Sequence, residues 1–265
     1  MLSYKNDVNL KTMIVEEMKS HQEHDQIIKG TYGRMNGVFK GCAVGCAVDS
    51  FNRKLDKKYA VDSHAAFENA IGVPEWLARV QDNIFEGLPD KENSQFAVDF
   101  LEAIPVGVNL KPVQWKFCAF ILKENIERVL SLKIADDLKK QVVYAIRQVL
   151  TLHEDAIKSG DWKKSAARSA AECARSAADS AAESARSAWS AARPAAWSTA
   201  WSAAESAAEC ARSAAESAAE SARPSAWSAA RSAAWSAAWS ARSAARSAAY
   251  QRYAKKLLKI LKECN

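Results

Sequence analysis

The sequence predicts a mainly helical protein: an α+β N-terminal part with a small β-hairpin or sheet, followed by an Ala-rich antiparallel helical region. Three observations carry that expectation. Residues Ser165 to Tyr250 are built almost wholly from Ala, Ser, Arg, Glu and Trp without a glycine, and Ala leads the helix-forming scale with Glu and Arg close behind. Earlier in the chain, apolar positions recur at steps of three and four, as they do on one buried helix face. The run GCAVGCAV at 41–48 alternates smaller and larger side chains, which is the two-residue period of a strand.

The first element is LKTMIVEEMKSHQEHDQII, a helix whose inward stripe is Leu10, Ile14, Met18, His21, Asp25 and Ile28. Tyr32 to Arg34 and an Asn36-Gly37 pair of hairpin type follow. They lead into the expected strand. There Cys42, Val44, Cys46 and Val48 share one side, and Gly41, Ala43, Gly45 and Ala47 leave the other nearly bare. Such a face admits either a closely packed helix or a ligand. Asp62 or Ser63 then caps a helix through His64 and Glu68 that ends near Gly72. Pro74 opens the next, with Trp76, Leu77, Val80, Ile84 and Phe85 inward and a stop near Gly87 and Pro89. Further helices are expected at about 94–103, 112–124 and 134–158.

Two domains are expected in the 265 residues, 1–160 and 161–265. In the second, small polar residues recur at Ser165, Ser169, Cys173, Ser176, Ser180, Ser184 and Ser187, an eleven-residue repeat over three helical turns. SAWSAARPAAWSTAWSA at 187–203 returns as SAWSAARSAAWSAAWSA at 225–241, each copy with three Trp at steps of eight and four. A single helix over this span would exceed ~100 Å at 1.5 Å per residue. It must fold back. Pro194 and Pro224 are its breakers, giving helices near 161–192, 195–222 and 225–262, or alternatively kinks. Trp side chains at helical spacing beside Ala read as core, and the same helices offer a surface for homo-oligomer assembly.

Nine basic residues from Arg223 onward face Glu263 alone, so that end carries +8 of a formal +6 and the remainder −2. Packing against the Glu-bearing middle helix would neutralise it, so nucleic acid is not the expected partner. Six cysteines show no CxxC pair and read as reduced thiols. Neither an export signal nor an uninterrupted apolar run of about 18 residues is found. A cytoplasmic protein without membrane contact is expected.

GCAVGC, VPEWLARVQDNIFEGLP at 73–89 and FLEAIPVGVNL at 100–110 together resemble a group of uncharacterised tailed-bacteriophage accessory proteins. Members run from a His-containing first helix through GCAVGC into an Ala-rich tail with a basic YQRYAKKLL-like end. The resemblance implies a phage-encoded accessory protein. Some small phage proteins act against host defence by binding or cleaving nucleotide signals.

No Walker loop, GxGxxG, GxSxG or HExxH occurs, so no known catalytic signature is present. His21 with Asp25 and His64 with Glu68 lie four apart, a spacing that suits a metal or an acid–base pair. A buried His hydrogen-bonded to a carboxylate explains each pair without function. The candidate ligand-binding residues are His21, Asp25, Tyr32, Lys40, Gly41, Gly45, His64 and Glu68, around a small anionic, nucleotide-like ligand. No metal or cofactor is assigned. Cleavage of the ligand by the same His and carboxylate groups, or docking of the helices on a host protein or DNA, are the alternatives.

Overall fold

The computed structural model describes residues 1–31, 33, 39–133, 135–161 and 247–264. The Asn36-Gly37 turn, the two Ala-rich helices near 161–192 and 195–222, and most of 225–262 lie outside the described residues. Among the described residues seven α-helices follow a short turn at Ser3–Asn6: α1 (Val8–Glu23), α2 (Ala43–Leu55), α3 (His64–Ile71), α4 (Glu75–Gly87), α5 (Asp90–Ala103), α6 (Lys111–Ser131) and α7 (Asp136–Ser159). An eighth, α8, occupies 247–262.

The helical part of the expectation holds, but the small sheet does not. Among the described residues there is no strand, and Ile27 and Gly41 form one isolated parallel bridge. The GCAVGCAV run is the start of α2. A tetrad repeat has period four as well as period two, and period four is the i, i+4 relation of a helix. Cys42 stays extended and its Sγ accepts from the Gly45 amide at 3.5 Å, in the manner of an N-cap. Ala43 to Val48 are all buried, with α1, α3 and α4 packed against the helix. The alternation of sizes therefore marks close approach on every side of a central helix, not two faces of a sheet.

The other boundaries follow local chemistry. Asp7 caps α1 through the amides of Asn9 and Leu10. Ser63 caps α3 through Ala66, and Gly72 ends it at φ +71°, where an added Cβ would strike the Leu2 carbonyl. Helix α1 stops at Glu23, earlier than its apolar stripe suggested. Asp25 adopts a left-handed φ of +51°, a conformation that a short polar side chain tolerates. Gln26 then donates its amide to the His21 carbonyl and closes the helix end.

The C-terminus of α5 shows how distant residues complete a helix. The Leu101 carbonyl would be served by the amide of residue 105, but that residue is Pro105. Tyr4, wholly buried, supplies the donor through its hydroxyl at 2.5 Å, while the Lys11 amine caps the Glu102 and Ile104 carbonyls.

The described residues fall into two compact units. One comprises Met1–Glu124, the end of α7 from Leu150, and α8; the other holds the end of α6 from Asn125 and α7 as far as Val149. In the first unit, α1 packs on α5 and α2, and α4 on α3, α2 and α5. Leu257, Ile260 and Leu261 of α8, and Cys264 just beyond it, join the same core. Tyr253 packs edge-on against Phe117 and Phe120, and Arg252 pairs with Glu124 at 3.0 Å. Among the described residues no helix is long and apolar enough to cross a membrane.

Candidate ligand-binding cleft

The last turns of α1 and the middle of α2 meet at a buried polar seam. His21 is 4% exposed and Ser50 is wholly buried. The His21 Nδ1 lies 2.5 Å from Gln26 Oε1, an atom that only accepts, so Nδ1 carries the proton. Nε2 is left to accept from the Ser50 hydroxyl at 2.9 Å, with Arg53 Nη2 at 3.3 Å. Burial pushes the imidazole below its ordinary value, Gln26 draws it back, and the Arg53 charge pushes it down again. The ring is therefore neutral at physiological pH.

Arg53 is tethered from two helices. Its Nε donates to Asp49 Oδ2 at 2.7 Å and its Nη2 to Glu17 Oε2 at 3.1 Å. Glu17 also pairs with Lys54 at 2.9 Å. Burial pushes the Glu17 carboxyl up, but Lys54 and Arg53 outweigh it and hold the group below its ordinary value. The Arg53 Nη1 amino group has no hydrogen-bond partner among the described residues. Two of its N–H donors are thus held on a fixed guanidinium that is half exposed.

Two clefts open beside it. The larger, about 730 Å³, is lined by Arg53, Lys57, Lys58, Asn52, Tyr59 and Phe39 among others. Lys57 and Lys58 are exposed. The Asn52 side chain holds Tyr59 in place, accepting from its amide and donating to its carbonyl, both at 2.9 Å, while the Tyr59 ring leans on Phe51. The smaller cleft, about 360 Å³, is lined by Ser20, His21, His24 and Gln26 and shares Phe39, Asp49 and Arg53 with the larger.

Of the residues named from the sequence, His21 lines the smaller cleft. Asp25 has turned off the helix, and its expected place beside His21 is taken by Gln26. Tyr32 lies outside the described residues, and Lys40 lines neither cleft. The Gly41 amide donates to the Gln26 carbonyl and its own carbonyl accepts from Ile28; Gly45 is buried inside α2. The side expected to be bare is filled by protein.

His64 and Glu68 both reach from α3 to α4. His64 Nε2 lies 3.2 Å from Asp82 Oδ2, and Glu68 accepts from the Glu75 amide at 2.8 Å, at the start of α4. They clasp two helices together and line neither cleft. Burial and then the Asp82 carboxylate push the nearby Cys42 thiol up to about 12, which leaves it unreactive. Among the described residues no three His, Cys, Asp or Glu side chains gather in a way that would hold a metal ion.

Sequence reasoning missed Arg53, Asn52, Lys57, Lys58 and Tyr59. The available signal was DSFNRKLDKKY, in which Asp49 and Arg53 stand four apart on a helix that runs into a basic-aromatic turn. Ser50, His21 and Gln26 follow the order of nucleophile, base and orienting group, but Ser50 is sealed in the core, so no substrate can reach its hydroxyl. The string orients His21 and Arg53. No protein-family model, curated protein or solved structure matches the chain.

Proposed function

We propose that the chain captures a small anionic, nucleotide-like ligand in the larger cleft, and that it does so as a phage accessory protein removing a host defence signal. The observation that carries the capture reading is the tethered Arg53, its Nη1 donors unspent among the described residues, set beside Lys57, Lys58 and the Tyr59 ring. A rigid guanidinium suits a phosphate, and an aromatic body with a few polar groups suits a base and sugar. The resemblance in the N-terminal motifs supports the phage role. Capture therefore moves from the glycine-and-alanine side of α2 to the cleft at the other end of that helix.

The test is titration calorimetry with AMP, ADP-ribose and a cyclic dinucleotide, followed by chromatography of the recovered nucleotide. Binding of at least one, weakened roughly 10- to 100-fold by Arg53→Ala as expected for loss of a charge-assisted contact, with the nucleotide recovered intact, supports capture. Absence of heat with every nucleotide removes it, and a cleaved product replaces capture with turnover.

A further inference from the structure

We infer that the ligand is a dinucleotide, with its linking phosphate on Arg53 and one nucleoside in each cleft. This rests on the capture reading and adds to it the class of ligand. The two clefts are neighbours that share Phe39, Asp49 and Arg53, so these residues form the divide between two lobes. Each volume falls within the ~300–1,000 Å³ usual for a small-molecule site. One mononucleotide would leave one lobe empty.

The chemistry of the lobes differs in a way that fits two nucleosides around one charge. Among the described residues Arg53 is the one Lys or Arg lining the smaller lobe, and the lobe's Glu17 is already engaged by Arg53 and Lys54. Among the described residues what remains there is Ser20, His24 and the Gln26 amide, groups that hydrogen-bond a base edge or a ribose hydroxyl. The larger lobe offers the Tyr59 ring with the Lys57 and Lys58 amines. It takes the other nucleoside, and in a cyclic dinucleotide the second phosphate as well. Arg53 stands where a phosphodiester between them would lie.

Charge alone cannot produce the expected ranking. Diadenosine monophosphate carries about one negative charge at neutral pH and AMP nearly two, since a terminal phosphate has a second ionisation near 6. Titration calorimetry at fixed ionic strength should nevertheless find the diadenosine monophosphate at least about 10-fold tighter than AMP, because the second nucleoside binds as part of the same molecule. Ser20 is exposed on α1, so Ser20→Trp fills the smaller lobe without entering the core. It should collapse that ratio towards one, with an unchanged circular-dichroism melt confirming the fold; His24→Trp serves as a second filling variant. AMP binding as tightly as the dinucleotide, or a ratio untouched by both fillings, overturns the two-lobed ligand and leaves capture standing. Failure of AMP, diadenosine monophosphate and the cyclic dinucleotide alike overturns capture and this inference with it.

Discussion

Gly87→Ala sets two opposed effects against each other at the seam between α4 and α8. Gly87 is the last residue of α4, and alanine in place of glycine within a helix is favoured by up to about 1 kcal/mol. An added Cβ, however, would overlap Cγ, Cδ2 and Cε2 of Tyr250. The ring cannot simply swing aside, because it stands edge-on to Tyr253 at 6.1 Å and Tyr253 is itself wedged against Phe117 and Phe120. Overpacking of a well-filled site costs about 1–3 kcal/mol, so the clash wins and the variant should lose about 1–2 kcal/mol. Urea unfolding followed by circular dichroism reads this as a lower midpoint at constant slope. In a Tyr250→Ala background the methyl group enters vacated space, and the same substitution should become neutral or stabilising. Such a sign reversal is a coupling of about 1–3 kcal/mol between contacting residues. A Gly87→Ala chain more stable than the parent would refute the placement of α8 against α4.

Tyr4→Phe removes the donor that Pro105 cannot supply and leaves the Leu101 carbonyl buried without it. The expected cost is about 1–3 kcal/mol, read as a lowered urea midpoint, and an unchanged midpoint would show that the hydroxyl is not the cap. The pH dependence of stability should carry the mark of His21. Its folded value lies below the ordinary 6.5, so the unfolded chain takes up the proton first as pH falls. The contribution is complete above pH 6.5 and is lost as pH drops through the lower folded value. His21→Gln should therefore flatten the fall in urea midpoint between pH 7 and pH 5. Some slope remains from His153, which burial also pushes down. Identical slopes in parent and variant would mean that His21 does not titrate in that window.

Much of the helical frame is legible because its signals are local. Ser63, Gly72 and Pro74 place three helix ends by themselves, since a cap, a left-handed terminus and a fixed φ act within a few residues. The tetrad was ambiguous for a definite reason: a repeat of four with alternating sizes satisfies a strand and a helix alike. Immediately after it, DSFNR drops the alternation of sizes while Asp49 and Arg53 keep the four-residue spacing, and the lost alternation favours the helix. Asp25 illustrates the opposite failure. Its spacing from His21 is helical, yet one left-handed residue ends the helix and hands the position to Gln26. The cleft was hidden more deeply. Arg53 reads as part of a solvated face until α1 brings Glu17 and His21 to it from 36 and 32 residues away, and no local pattern encodes that approach.

The arrangement around Arg53 is hard to account for as stabilisation. Its ion pairs with Glu17 and Asp49 involve a guanidinium that is half exposed, and pairs of that kind are worth about 0–1 kcal/mol. What they do accomplish is to remove freedom. A free arginine side chain carries about 2 kcal/mol of rotamer entropy, and ordering one such group at an interface costs a bound ligand about 0.5–1.5 kcal/mol. Here that cost is met in the folded protein before any ligand arrives, by Asp49 on the same helix, Glu17 on its neighbour, and a neutral His21 whose own orientation is set by Ser50 and Gln26. Because Ser50 lies in the core and Arg53 faces the cleft, one chain of hydrogen bonds links the packing of α1 on α2 to the direction in which Nη1 is presented. A cation held so firmly, with Nη1 donors unspent among the described residues, is the feature on which the proposed anion capture rests.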